Sequence, residues 1–409
     1  MASTDRVFQI SGTCNNYDWG KNGKSSLAAR LCAQTTPDFA VEDDKVYSEL
    51  WFGDYPDFPG RVLTTGKPLG EHLQKHKEVL LGDKVIREFD AQLPFLPKIL
   101  SISKALPLQI HPNKELASKL HSKDPDQFSD PNHKPEIAVA LSDFEVFAGW
   151  KPLTEITPIF NNPAFLEFLP DPSLPSSSWT DDTLREVTRA ILLADEATVK
   201  RAQGALRAMS KEELGDNSYV LDLLPRLQEQ YGDTDPGNLV ALLCMNFLTL
   251  KPGEALYIPA DGIHAYLSGD IVECMARSNN VLNAGFCPRA DRNSIDLFAE
   301  TLTFKSHSKN DVALPRERSA TGKNSKTWVY RPPMSEFDML CTELENGESE
   351  TVKAGDGPGV AIVTGGEGIL EGDGKKFNVK AGCIFFIAPD VEVKWASSKG
   401  SMQIYTAVV

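Results

Sequence analysis

Gln109 and His111 stand two positions apart in the stretch Leu106 to Asn113, Glu136 follows the run Asn132 to Pro135, and His264 lies far downstream. Residues at i and i+2 of a strand point to one face. An extended segment therefore aims Gln109 and His111 the same way and Ile110 the other. Two imidazoles, a carboxylate and an amide oxygen make a mixed nitrogen and oxygen donor set suited to a divalent, zinc-like ion. Brought together by the fold, they would make a metal centre whose open position can polarise a bound oxygen. The competing reading is of scattered histidines acting as plain hydrogen-bond partners, with Gln an uncommon ligand.

Other polar residues sit in unusual company. Lys98 lies among apolar neighbours, where a lysine needs a partner; a structural ion pair and a contact to a substrate phosphate both satisfy that need. Lys134 precedes Glu136 by two and shares its face if the segment is extended. Glu273 alternates with apolar residues from Ile271 to Met275. It is either a half-buried carboxylate with a pKa raised for proton transfer or an ion-paired strand residue. Trp19 fits a core position or a pocket wall. His133, beside Lys134, reads as a structural loop residue, and His72, His76, His121 and His307 as surface residues.

The elements that must position these groups change character along the chain. Up to about residue 150, short apolar stretches punctuated by Gly, Pro, Asp and Asn read as strands, with short helices expected at His72 to Leu81 and Lys114 to Ser122. Thr183 to Met209 carries apolar residues at helical spacing, with Asp181 or Asp182 as its cap. Ser210 to Glu213 resembles a capping box, and Asn238 to Leu250 reads as a buried helix. Ser306 to Lys326 reads as a long polar connection. From Thr327 onward, short strands and Gly-rich turns predict an all-β unit without a histidine. A weak repeat links Pro252 to Pro259 with Lys380 to Pro389, each a Gly turn, an apolar strand and a Pro turn.

The chain has 409 residues, 41% of them hydrophobic, and a formal charge of −15, which fits two or three soluble domains. An acidic surface disfavours nucleic acid or an anionic membrane as the main partner. A local cluster of Lys and Arg still leaves room for a small anionic substrate. The start of the chain is polar, without an apolar stretch of signal-peptide length. The apolar run Leu239 to Leu250 is too short to span a bilayer. Seven scattered cysteines without a CxxC pair read as reduced cytosolic thiols.

Several ordered motifs resemble type I mannose-6-phosphate isomerase. They are Asn16 to Gly20, Ser48 to Trp51, Leu93 to Leu100, Ala105 to Lys114, Asn132 to Glu136 and Tyr257 to Tyr266. The resemblance runs nearly end to end. It implies a mainly β fold of two cupin-type jelly rolls with an α insertion. The metal-bearing catalytic domain would span 1–152 and 240–320, the helical insertion 153–239, and a metal-free cupin-like domain 321–409. It implies one zinc ion held by Gln109, His111, Glu136 and His264, and active-site roles at Trp19, Lys98, Lys134, Tyr266 and Glu273. The implied activity is the interconversion of mannose 6-phosphate and fructose 6-phosphate by a cytoplasmic, monomeric enzyme feeding GDP-mannose and glycan synthesis.

Three positions depart from the family pattern. The family's active-site arginine is Asn283 here, its lysine is Arg289, and a serine before the Gln-x-His motif is Pro107. A guanidinium stabilises developing enediolate charge or grips an anion through paired donors, and a neutral amide does not. Arg289 is the nearest replacement, with Arg277 and Arg292 as further candidates. If none serves, the alternatives are a weakened sugar-phosphate-binding paralogue or an isomerase or epimerase for another sugar.

Overall fold

The computed structural model describes residues 4–173, 175–334 and 336–409, so Met1, Ala2 and Ser3 of the polar N-terminal stretch lie outside it. It is mainly β with an α insertion, and most strands fall into two ten-stranded antiparallel sheets. The two sheets make the two expected cupin-type jelly rolls.

The first sheet runs in the order Met245–Leu250, Phe144–Trp150, His264–Ala276, Phe95–Ile102, Glu49–Trp51, Thr13–Asn15. Leu108–Ile110 and Glu136–Ala140 also pair with the central strand His264–Ala276. The second sheet holds the C-terminal strands from Arg316 onward. It also holds Val7–Ser11, which pairs antiparallel with Ile384–Ile387, and Arg61–Val62 beside it. Part of the segment expected in the catalytic domain thus completes the C-terminal sheet. That pairing is nonlocal and leaves no mark in either stretch alone.

Strict alternation along three buried strands separates site from core. Ile99, Ile137, Val139, Val272 and Cys274 join the apolar core shared with the C-terminal sheet. Their neighbours Leu100, Ala138, Ala140 and Ile271 face inward, as do Lys98 and Glu273, which stand opposite each other in the register. A period of two is what a pleated strand imposes. A one-residue slip would send Lys98 and Glu273 into the apolar core.

The helical block differs from the expected pattern in three places. The stretch from 183 to 209 is two helices, Asp181–Leu193 and Glu196–Ala208, because Asp195 caps a new helix by accepting from Thr198 N–H. The first is capped by Thr180, whose hydroxyl exchanges hydrogen bonds with Thr183, while Asp181 and Asp182 occupy the first turn. Acids there favour the positive end of the helix dipole without being caps. Finally, the buried helix ends at Cys244 and Met245–Leu250 is a strand paired with Phe144–Trp150. The buried Lys151 ammonium donates to the Leu242 carbonyl at 2.9 Å, satisfying that helix end.

Elsewhere the helix expected at His72 to Leu81 is two short ones, Leu69–Lys75 and Lys77–Leu80, meeting at a non-helical His76. The capping box at Ser210 and Glu213 is present on a four-residue helix. The polar connection after Ser306 contains the strand Arg316–Arg318, paired with Thr327–Tyr330. Both halves of the weak repeat are four-residue strands, Ala255–Ile258 and Ile384–Ile387, in different sheets. Each follows a glycine with positive φ, 87° at Gly253 and 92° at Gly382. Among the described residues, no helix is long and apolar enough to cross a membrane.

The central strand bends at Gly269. Before it, His264 to Ser268 pairs with Phe144–Trp150; after it, the strand runs along Phe95–Ile102. Gly269 has φ 123°, and a Cβ there would lie 2.6 Å from the Asp143 carbonyl oxygen. Gly269→Ala should therefore combine backbone strain of about 1–3 kcal/mol with steric overlap. Gly374→Ala, at φ 71° with open space around it, should cost only about 1 kcal/mol. Urea midpoints measure both, and equal midpoints would contradict the assigned role of the bend.

Candidate metal centre and active-site cavity

Three elements converge on one buried point. His264 opens the central strand, Glu136 opens the strand Glu136–Ala140, and His111 follows the strand Leu108–Ile110, held by its N–H to the Ala260 carbonyl at 3.1 Å. Ligand atoms of His111, Glu136 and His264 all lie within 4.8 Å of one another, and all three residues are buried. Gln109 pairs directly with His264 in the register, and Asn283 with Gln109. Direct cross-strand partners share a face, so Gln109 stands on the same face as His264.

The protonation of the two imidazoles follows from their outer partners. His111 Nδ1 lies 2.8 Å from the Asn280 carbonyl and His264 Nδ1 lies 3.0 Å from that of Gly262. A carbonyl only accepts, so each Nδ1 carries the proton and each Nε2 presents a lone pair inward. Nε2 of His264 stands 3.1 Å from one Glu136 oxygen, and Nε2 of His111 stands 3.6 Å from the other. Both Nε2 atoms are buried without a hydrogen-bond partner. Lone pairs facing a carboxylate at this range repel unless a cation lies between them. Burial and then the Lys134 charge push the His111 pKa down to about 3, so it stays neutral. The Tyr266 hydroxyl donates to Glu136 at 2.7 Å. The donor set fits a divalent cation.

Beside this point, on the inner face, lies a second charged group. Lys98 Nζ is 3.4 Å from Glu273, 3.8 Å from Glu49 and 4.1 Å from the centre of the Trp51 ring. Burial alone would lower its pKa, but Glu49 and then Glu273 outweigh that and raise it. Glu273 is pushed up to about 7, first by burial and then by the Glu136 charge, with Lys98 and Lys134 opposing. Lys134 is buried beside Glu136 with no carboxylate in ion-pair range among the described residues, and burial lowers its pKa. Glu49 is the residue that sequence reasoning missed. It lies in a quoted motif, but nothing local showed that it would pair with Lys98.

A cavity of about 1000 Å³ opens onto both groups. Trp19, Lys98, Gln109, Lys134, Glu136 and Glu273 line its floor and near wall, and Asn283, Arg289 and Arg292 line it too. Tyr266 sits behind the ligands, fully buried. The three arginines proposed as replacements fare differently. Arg289 stands in a short turn at the rim with its side chain 84% exposed, 3.5 Å from Glu196. Arg292 is held by Asp235 at 2.8 Å. Arg277 pairs with Asp54 and is not part of the cavity wall. Solvent, not the buried cluster, surrounds the Arg289 guanidinium. The Asn283 side-chain oxygen is buried without a hydrogen-bond partner.

The other histidines stay apart from the ligand set. His133 Nε2 contacts Glu336 at 2.5 Å, a structural pairing. His72, His76, His121 and His307 are half-buried rather than fully exposed.

Removal of a ligand tests the centre directly. A divalent cation at saturating concentration should raise the melting temperature of chelator-treated protein, since a ligand at about a thousand times its Kd adds about 4 kcal/mol. His264→Ala should abolish both that shift and the metal recovered by elemental analysis. An unchanged metal content in His264→Ala would contradict the site.

Residues 7–153 match the family model for the phosphomannose isomerase type I catalytic domain. The chain is 37% identical to the mannose-6-phosphate isomerase of Cryptococcus neoformans var. neoformans serotype D, over 98% of this chain and 99% of that one. It is 34% identical to that of Saccharomyces cerevisiae, over 99% of each. Among solved structures, a lysine-to-alanine variant of phosphomannose isomerase from Salmonella typhimurium superposes with a TM-score of 0.83 at 23% identity, covering 98% of this chain and 99% of that one. A zinc-bound mannose 6-phosphate isomerase gives 0.81 at 23% identity with the same coverage. These structures share the fold, and the full-length relatives go further: the chain belongs to the type I phosphomannose isomerase family.

Proposed function

We propose that this chain interconverts mannose 6-phosphate and fructose 6-phosphate with one zinc ion held by Gln109, His111, Glu136 and His264. The names of its relatives support the substrate pair. The observation that carries the reading is the position of Glu273 and Lys134, side by side with the ligand set on one cavity face. Moving a proton between C1 and C2 through an enediol requires a base near neutral pH. Glu273, pushed up to about 7, meets that requirement, since a base works best with a pKa close to the working pH. Lys134, with its pKa lowered, is suited to shuttle the proton of a substrate hydroxyl. Lys98 holds Glu273 in place and balances its charge. Tyr266 orients Glu136, and Trp19 forms part of the wall against which the sugar lies. A bound zinc ion would supply Lewis-acid polarisation of a substrate oxygen.

Arg289, at the solvent side of the cavity, suits the phosphate end of the substrate rather than the reacting carbons. On this reading the chain acts as a monomer in the cytosol and supplies mannose for GDP-mannose and glycan synthesis. A second reading rests on Asn283, a neutral amide where the family resemblance implies a guanidinium. On it, the chain is a weakened paralogue or takes another sugar.

A coupled assay with mannose 6-phosphate separates them. Zinc-loaded protein should turn it over, and no turnover would overturn the proposal in favour of the second reading. Glu273→Gln should lose about 100-fold or more in kcat with unchanged metal content. The base must be unprotonated, so wild-type turnover should fall as pH drops through about 7. A bound dication, favouring the carboxylate, would move that limb lower. Arg289→Ala should raise KM more than it lowers kcat; the opposite split would place Arg289 at the reacting carbons.

A further inference from the structure

A smaller cavity of about 380 Å³ lies apart from the first and shares none of its lining residues. Cys14 and Cys32 both line it, with Thr36 and Arg61. Cys14 comes from the strand Thr13–Asn15, and Cys32 from the helix Leu27–Thr35 that packs on it. Cys14 is half-buried and Cys32 buried. Cys14 Sγ lies 3.9 Å from the Asn15 carbonyl and Cys32 Sγ 3.3 Å from the Thr36 hydroxyl, and each thiol shifts the pKa of the other. None of the other five cysteines contacts a second thiol among the described residues. The function proposed above uses neither Cys14 nor Cys32.

The pair is chemically unequal. The Cys14 thiol, with help from Thr36, lowers the pKa of Cys32 against the effect of burial. Cys14 itself is pushed up, first by that same contact and then by burial. Two neighbouring thiols of unequal acidity, lining one cavity that admits small molecules, are the arrangement in which one sulfur reacts and the other resolves.

We propose that Cys14 and Cys32 form a reversible oxidation site for a small hydroperoxide entering this cavity. The Cys32 thiolate attacks the peroxide oxygen, the O–O bond breaks, and an alcohol or water leaves. Cys32 becomes a sulfenic acid. The Cys14 sulfur then displaces that hydroxyl as water, and the S–S bond forms. The balance is two thiols and one hydroperoxide in, one disulfide, one alcohol (water, if the peroxide is hydrogen peroxide) and one water out. A thiol reductant reverses it by exchange.

The test uses the full chain, reduced and then treated with one equivalent of hydrogen peroxide. Intact mass should fall by about 2 Da, peptide mapping should find Cys14 joined to Cys32, and dithiothreitol should restore both thiols. Cys14→Ser should instead accumulate a sulfenic acid at Cys32 that dimedone captures. Oxygen addition at single cysteines of the wild type, a different disulfide, or dimedone capture at a cysteine other than Cys32 would each overturn the proposal. None of these readouts depends on turnover of a sugar phosphate.

Discussion

The convergence of Glu136 and two imidazole nitrogens on one buried point is the constraint around which the site is organised. Each histidine gives its one proton to a backbone carbonyl on its outer side. Each then faces a carboxylate oxygen with a lone pair, at 3.1 and 3.6 Å, in a buried space. Unpaired buried polar groups are costly, and a single divalent cation removes the cost by accepting all the lone pairs together. The Asn280 and Gly262 carbonyls matter as much as the ligands, because they fix which nitrogen is bare.

The same economy governs the strands. Fully buried strands in a mainly β protein are usually apolar on both faces, and here one face carries Lys98 and Glu273. They are tolerated because they neutralise each other across the register and because Glu49 and the Trp51 ring complete the surroundings of the ammonium. Breaking such a buried pair costs more than never having built it. The glycine bend at 269 lets one strand deliver His264 to the cluster with Glu136 and Glu273 to the cavity wall beside Lys98. The site therefore depends on register, and register depends on the apolar core behind it.

What was legible in the sequence follows the range of each interaction. The i, i+2 spacing of Gln109 and His111 and the alternation around Lys98 and Glu273 are local, and the strands keep them. The helix break at Asp195 is also local, but the apolar periodicity continues through it and hides the cap. In the run 239–250 the residues are apolar throughout, so no period separates helix from strand; the switch at Met245 is set by pairing with Phe144–Trp150. Nonlocal facts left no trace: the pairing of Val7–Ser11 with the C-terminal sheet, the partnership of Glu49 with Lys98, and the meeting of Cys14 with Cys32. Arg289 keeps the charge on a short turn at the cavity, with its side chain exposed beside Glu196.

The central claim is that nitrogen and oxygen side chains alone form the cation site. X-ray absorption at the zinc edge of the zinc-loaded protein tests it most directly. The account predicts a first shell of nitrogen and oxygen at about 2.0–2.2 Å, with the outer-shell scattering of two imidazole rings. A sulfur shell at about 2.3 Å, or a spectrum without imidazole scattering, would contradict it.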